Sequence, residues 1–164
     1  MIKEAIEKIK SKQSLTDSQM QAVFEEIMTG DTSESDIEAL LVGLSQKGET
    51  IDEITGAARA MRKFVKRINV DSDVILDTCG TGGDKSGTFN ISTIAAFVVA
   101  GSGITVAKHG NRSVSSACGS ADLLEALGIN IQLEPEALER CLKEVGIAFL
   151  FAPNLHPAMK YAMP

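Results

Sequence analysis

Tryptophan is missing from this chain, tyrosine occurs once, and the three cysteines are neither even in number nor arranged as C-x-x-C. Cys79, Cys118 and Cys141 therefore fit neither a disulfide framework nor a zinc site, and reduced thiols are expected. No apolar run approaches the ~20 residues of a membrane span. Met1-Ile2-Lys3-Glu4 opens an amphipathic pattern rather than a signal peptide. A soluble, cytoplasmic protein is expected. Long basic runs are absent too, and the formal charge of −6 argues against a general nucleic-acid or acidic-membrane surface. Positive charge, where it matters, must be local.

What is present divides into two grammars. Residues 1 to 68 read as helices, with capping boxes at Thr16…Gln19 and Thr50…Glu53 and a weaker variant at Ser33…Asp36. Apolar residues between the caps recur at helical spacing, as in Met20, Val23, Phe24, Ile27 and Met28, and each helix has one apolar stripe for a bundle core. Gly30 and Gly48 fall where C-terminal caps are wanted. From residue 69 to 164, short β-rich runs alternate with helices, the pattern of a mostly parallel sheet flanked by helices. Strands are expected at 74–76, 104–107 and 147–151, with a short one at 129–131. Helices are expected at 91–100, 120–127 with Ser120 as cap, and from Pro135 to Glu144. The first of these helices is apolar almost all round and is expected to be buried.

Two polar segments follow strands of that sheet. Asp77-Thr78-Cys79-Gly80-Thr81-Gly82-Gly83-Asp84 leads through Thr88, Asn90, Ser92 and Thr93 into a helix. Glycines let backbone N–H groups approach an anion, hydroxyls add donors, and the helix start directs its positive end at the same point. The segment is not a Walker A loop, since Asp84 stands between Gly83 and Lys85-Ser86. Nor is it a dinucleotide fingerprint, whose third glycine would stand at Lys85. The second segment, Lys108-His109-Gly110-Asn111-Arg112-Ser113-Val114-Ser115-Ser116, supplies the charges: Lys108 as a point charge, Arg112 as a planar fork. Gly110 and Asn111 suit a turn, and the hydroxyls of Ser113, Ser115 and Ser116 suit an anion nest. Ile91 and Val114 contribute backbone N–H groups at most. Ligands of open α/β sheets sit at such carboxyl ends of strands. Asp84 beside a phosphate makes sense with a divalent cation, which takes oxygen ligands and bridges to phosphates.

Read together, GTGGD…T.NIST, KHGNR.VSS and the run Cys118 to Gly128 resemble the signature segments of the anthranilate phosphoribosyltransferases, and the resemblance extends over the whole chain. It implies an α/β fold of the nucleoside phosphorylase and phosphoribosyltransferase type, with 1–68 as a helical dimerisation subdomain. It implies transfer of the phosphoribosyl group of 5-phosphoribosyl 1-diphosphate to anthranilate, with release of pyrophosphate, in tryptophan biosynthesis. By that likeness Gly80, Gly83, Asp84, Thr88, Asn90, Ile91, Ser92, Thr93, Lys108 to Ser116 and Ser120 bind phosphoribosyl diphosphate. Gly80 and Asn111 touch anthranilate, Ser92 helps to hold Mg2+, and the protein is a homodimer. His109 lies near the acceptor and suffices there as a positioning group.

Family members are roughly twice this long, so the chain looks like an N-terminal half. An anthranilate-contacting arginine and an Asp-Glu pair for magnesium are expected beyond Pro164, and the 164 residues alone are expected not to turn over. A pyrimidine nucleoside phosphorylase, a nucleic-acid-binding relative of the same fold, and a purely dimerising helical module are the alternatives.

Overall fold

The computed structural model describes residues 1–80, 89–113 and 118–162. The chain divides into two compact units, Met1–Val65 with His156–Pro164, and Lys66–Leu155. In the first, α1 (Ile2–Lys10), α2 (Asp17–Thr29), α3 (Glu34–Lys47) and α4 (Ile51–Lys63) surround a core in which Met20, Ile27, Met28 and Leu40 are fully buried. Thr16 and Thr50 accept the N–H groups of Gln19 and Glu53, whose side chains reach back to the caps, closing both capping boxes. Gly30 ends α2 in the left-handed region, at φ 84°. The 3-10 turn Pro157–Tyr161 returns to the same core through Ala158 and Met159.

Two features tighten this unit. A Cβ on Gly56 would lie 2.2 Å from the Asp17 carbonyl oxygen, so α4 crosses α2 backbone against backbone. Glu53, 1% exposed, is a junction as well as a cap. Its Oε1 accepts the Leu15 N–H at 2.9 Å, and its Oε2 accepts from Lys47 Nζ (2.9 Å), Thr50 N (2.8 Å) and Thr50 Oγ1 (3.0 Å). Burial opposes its charge, but the donors from Leu15, Lys47 and Thr50 together hold its carboxyl below the usual range.

The second unit is a parallel sheet of β1 (Ile75–Leu76), β2 (Thr105–Gly110) and β3 (Ile147–Phe151), in the order β1-β2-β3. Helices α5 (Ile91–Gly101), α6 (Ser120–Ala126), α7 (Pro135–Glu144) and the short α8 (Ala152–Leu155) complete it. Alternation along paired β2 and β3 presents Val106, Lys108 and Phe149 to one face, and Ala107, Ala148 and Leu150 to the other. Leu138 and Leu142 of α7 cover the second face, while Ala121 and Leu124 of α6 gather around Phe149 and Phe151 on the first.

Four sequence expectations are revised. Strand β2 runs on to Gly110, because Lys108, His109 and Gly110 pair with Phe149, Leu150 and Phe151. The cap of α6 is Gly119, with Ser120 the first helical residue. No strand forms at 129–131: Asn130 Oδ1 accepts the Gln132 N–H at 2.9 Å, a local turn, and Ile131 packs beside Leu124 instead of pairing. Finally, α5 buries only Thr93 and Ala96, while Ile91, Ile94, Phe97 and Val98 are exposed. The three-stranded sheet is wide enough to cover one face of this helix, and no described residue covers the other.

Candidate functional site

The start of α5 is built around Asn90. Its Oδ1 accepts the Thr93 N–H (3.3 Å) and the hydroxyls of Thr93 (2.7 Å), Ser92 (3.4 Å) and Ser120 (3.5 Å). One cap side chain thus orients three hydroxyls around the N–H groups of the first turn of α5, the positive end of the helix dipole. Thr78 ties the strand to this turn by donating to the Ser92 carbonyl at 2.7 Å.

Lys108 enters from the adjacent strand. It is 3% exposed, and its Nζ donates to Ser92 Oγ and to the His109 carbonyl, both at 3.3 Å. Burial holds its ammonium below the usual lysine range, against the opposing effect of Cys79 and Asp77. A buried cation beside a helix N-terminus concentrates positive potential, with no carboxylate at hydrogen-bond distance among the described residues. An anion carrying several oxygens is the complement of that arrangement.

Because Lys108 and His109 are consecutive in a strand, they point to opposite faces. The imidazole joins a different cluster: Asp77 Oδ2 lies 3.3 Å from His109 Nδ1, and Asp77 Oδ1 accepts the N–H of His109 (3.1 Å) and of Cys79 (2.9 Å). Asp77 was not a predicted site residue. Its position as the first polar residue after β1 is the signal that could have found it.

Gly110 is needed where it stands, since a Cβ there would lie 2.5 Å from the Phe149 ring. Asn111 accepts the Ala121 N–H on its carbonyl at 3.2 Å and the Arg112 N–H on its side chain at 2.8 Å. Arg112 is set apart from the Asn90–Lys108 cluster. Its guanidinium forks onto Glu125 at 2.6 and 2.8 Å, reaches Asp122 at 3.2 Å, and lies over the Phe151 ring at 5.8 Å. The Glu125 contact raises its pKa first, with Asp122 adding to it. No described residue lies within 4 Å of a Cβ placed on Gly80, and Ile91 is exposed. Gly83, Asp84, Thr88, Val114, Ser115 and Ser116 lie outside the described residues.

Among the described residues no group of three or more His, Cys, Asp or Glu side chains is arranged to hold a metal ion. Ser92 offers one neutral oxygen with an ammonium already on it, so the described residues do not by themselves make a divalent-cation site. The cysteines are unbridged thiols, as expected. No helix among the described residues is long and apolar enough to cross a membrane.

Below Lys108 the same sheet face opens into an apolar cleft of about 90 Å³. Ala96, Phe97, Leu124, Ile129 and Phe149 form most of its wall.

Two family descriptions match the chain in succession. Residues 3–65 match the helical bundle domain of the glycosyl transferase family, and residues 72–164 match its a/b domain. The chain belongs to this glycosyl transferase family. Within the family its relatives are anthranilate phosphoribosyltransferases. The enzyme of that name from Pelotomaculum thermopropionicum is 59% identical over 161 residues, which are 98% of this chain and 47% of the relative. The crystal structure of the Thermus thermophilus enzyme superposes with a TM-score of 0.88 at 44% identity, covering 98% of this chain and 49% of that one. The Saccharomyces cerevisiae enzyme, solved in complex with PRPP and Mg, gives a TM-score of 0.87 at 25% identity, covering 98% and 48%. The chain thus spans about half the length of the curated relatives it matches. These relatives do not favour the phosphorylase or nucleic-acid-binding alternatives.

Proposed function

We propose that this chain carries the phosphoribosyl-diphosphate half of an anthranilate phosphoribosyltransferase site. The observation that carries the reading is the Asn90-capped start of α5 facing the buried Lys108 ammonium. It is supported by a yeast relative solved with PRPP and Mg. The diphosphate oxygens take the α5 N–H groups, the hydroxyls of Ser92, Thr93 and Ser120, and Lys108. Gly80, Gly83, Asp84, Thr88 and the segment from His109 to Ser116 complete the proposed contacts, and Gly80 and Asn111 also face anthranilate.

Displacement at the anomeric carbon of the ribose develops negative charge on the leaving pyrophosphate. Fixed donors and a desolvated ammonium stabilise that charge more in the transition state than in the bound substrate. The arriving anion also opposes the effect of burial on the Lys108 ammonium, since an opposite charge favours the charged form. No covalent nucleophile is required of Cys79. Of the described residues Ser92 would give one oxygen to a magnesium ion held chiefly by the substrate, and such an ion would offset charge on the leaving pyrophosphate.

The 164 residues are proposed to bind phosphoribosyl diphosphate without sustained transfer, because they span about half the length of the relatives. We further propose that residues 1–68 form a homodimer interface. Leu41, Val42, Ile51 and Ile54 are exposed on α3 and α4, and sedimentation at micromolar concentration tests whether the chain pairs. A cytoplasmic location is part of the same reading.

Calorimetric titration with phosphoribosyl diphosphate and Mg2+ tests the site. Binding by the unsubstituted chain, weakened about tenfold or more by Lys108→Ala, is expected from the loss of a charge-assisted contact. Equal affinity in both proteins would sink the assignment. Anthranilate fluorescence in the same mixture should stay constant.

A further inference from the structure

The second polar segment is held by a residue outside it. Asp122 Oδ2 accepts two backbone N–H groups, those of Ser113 at 3.0 Å and Gly119 at 2.9 Å, while Oδ1 accepts from Arg112 Nη1 at 3.2 Å. Ser113 and Gly119 stand on either side of the stretch Val114 to Cys118 in the sequence. One carboxylate therefore joins the point where the segment leaves β2 to the point where it enters α6. The two ends also touch directly: a Cβ on Gly119 would lie 2.3 Å from Ser113 N and 2.9 Å from the Asn111 carbonyl oxygen. Only glycine admits this approach. Ala121 N donating to the Asn111 carbonyl at 3.2 Å is a further tie between the same two pieces of chain.

We propose that Asp122 is the positioning residue of the second signature segment, holding Ser113 and Gly119 at one separation so that Asn111 to Ser113 are presented to phosphoribosyl diphosphate as a preorganised set. The proposal rests on the binding reading above, but the clamp itself does not depend on it. Fixing both ends removes loop-closure entropy that ligand binding would otherwise have to supply. The same two N–H bonds hold the Asp122 carboxyl below the usual range, with Arg112 adding to them. The partition of labour with Glu125 is specific. Among the described residues the Glu125 carboxylate bonds to the Arg112 side chain, whereas Asp122 holds the main chain on both sides.

Four variants of the 164-residue chain separate these roles. Asp122→Ala removes the clamp. Asp122→Asn keeps a side-chain oxygen for the two N–H groups. Glu125→Gln loosens Arg112 alone, and Gly119→Ala forces the ends apart with Asp122 intact. Backbone amide exchange by NMR is read at Ser113 and Gly119, with the β2 and β3 amides as internal controls. Phosphoribosyl diphosphate affinity is read by calorimetry with Mg2+.

Asp122→Ala and Gly119→Ala are expected to speed exchange at the reporting amides by about tenfold and to weaken binding by a similar factor. Asp122→Asn should stay within about threefold of the unsubstituted chain in both readouts, a rescue that mere loss of helix stability would not produce. Glu125→Gln should leave the two exchange rates unchanged. Unaltered exchange in both Asp122→Ala and Gly119→Ala overturns the clamp. Faster exchange with unaltered affinity overturns its role in binding. Failure of the unsubstituted chain to bind overturns the ligand reading, and the exchange rates then decide the clamp by themselves.

Discussion

The helical unit and the sheet unit solve burial differently. Helices α1 to α4 and the 3-10 turn share one core, in which the largest side chains are fully buried and the one buried carboxylate, Glu53, has a donor for each oxygen. The sheet unit has two smaller cores, one on each face, and leaves an apolar stripe of α5 exposed. Its polar groups converge on strand ends instead of closing a core. The difference shows where each unit spends its specificity. The first specifies its own packing, and the second specifies a set of donors around a space.

The sharpest way to break that contrast is to remove Glu53. Glu53→Ala leaves the Lys47 ammonium buried and unpaired and the Leu15 and Thr50 N–H groups without an acceptor. A loss of about 3–5 kcal/mol is expected by urea unfolding monitored by circular dichroism. Because the folded carboxyl is held below its unfolded value, its contribution is present above the unfolded pKa and lost as pH falls through the folded one. Glu53→Gln should accordingly flatten the acid limb of the stability profile. An unchanged acid limb would show that other carboxylates govern it.

Gly56→Ala comes next. Alanine is the better helix former by about 1 kcal/mol, yet the Cβ has no room against the backbone of α2. Net destabilisation of about 1–3 kcal/mol is expected, and a stabilised variant would mean that α2 and α4 can separate freely. Thr16→Ala removes a cap acceptor and should cost about 1 kcal/mol in the same assay. Smallest of all is Val98→Lys on the exposed face of α5, within about 0.5 kcal/mol of the parent. The same variant should reduce self-association in light scattering, because it interrupts the Ile94–Phe97–Val98 patch.

These two ways of burying also explain what was legible in the sequence. Helix starts at Thr16, Ser33 and Thr50 could be read because a cap and its partner lie three residues apart. Glu53 was read as half of a capping box and no more, since its bonds to Leu15 and Lys47 join elements that periodicity treats one at a time. In the sheet unit, the motif letters pointed to an anion and to the correct strand ends. The extent of β2 was not legible, because pairing with β3 decides it and nothing local marks the partner. Treating Lys108 to Arg112 as a loop left open which way each of its side chains turns. As strand residues, Lys108 and His109 take opposite faces, and Arg112 turns to Glu125 and Asp122, acidic residues that the motif reading had left to helix α6.

Asp77 has a consequence for transplantation. Its Oδ1 holds the main chain of both Cys79 and His109, so the two signature segments are soldered at one atom although they come from different strands. Neither segment is then a portable cassette. Moved into another parallel sheet, the Lys108–Arg112 letters would arrive without the carboxylate that sets the pitch of the strand end. The smallest unit that could be grafted with its geometry intact is the pair of strands β1 and β2 together with the turn that opens α5.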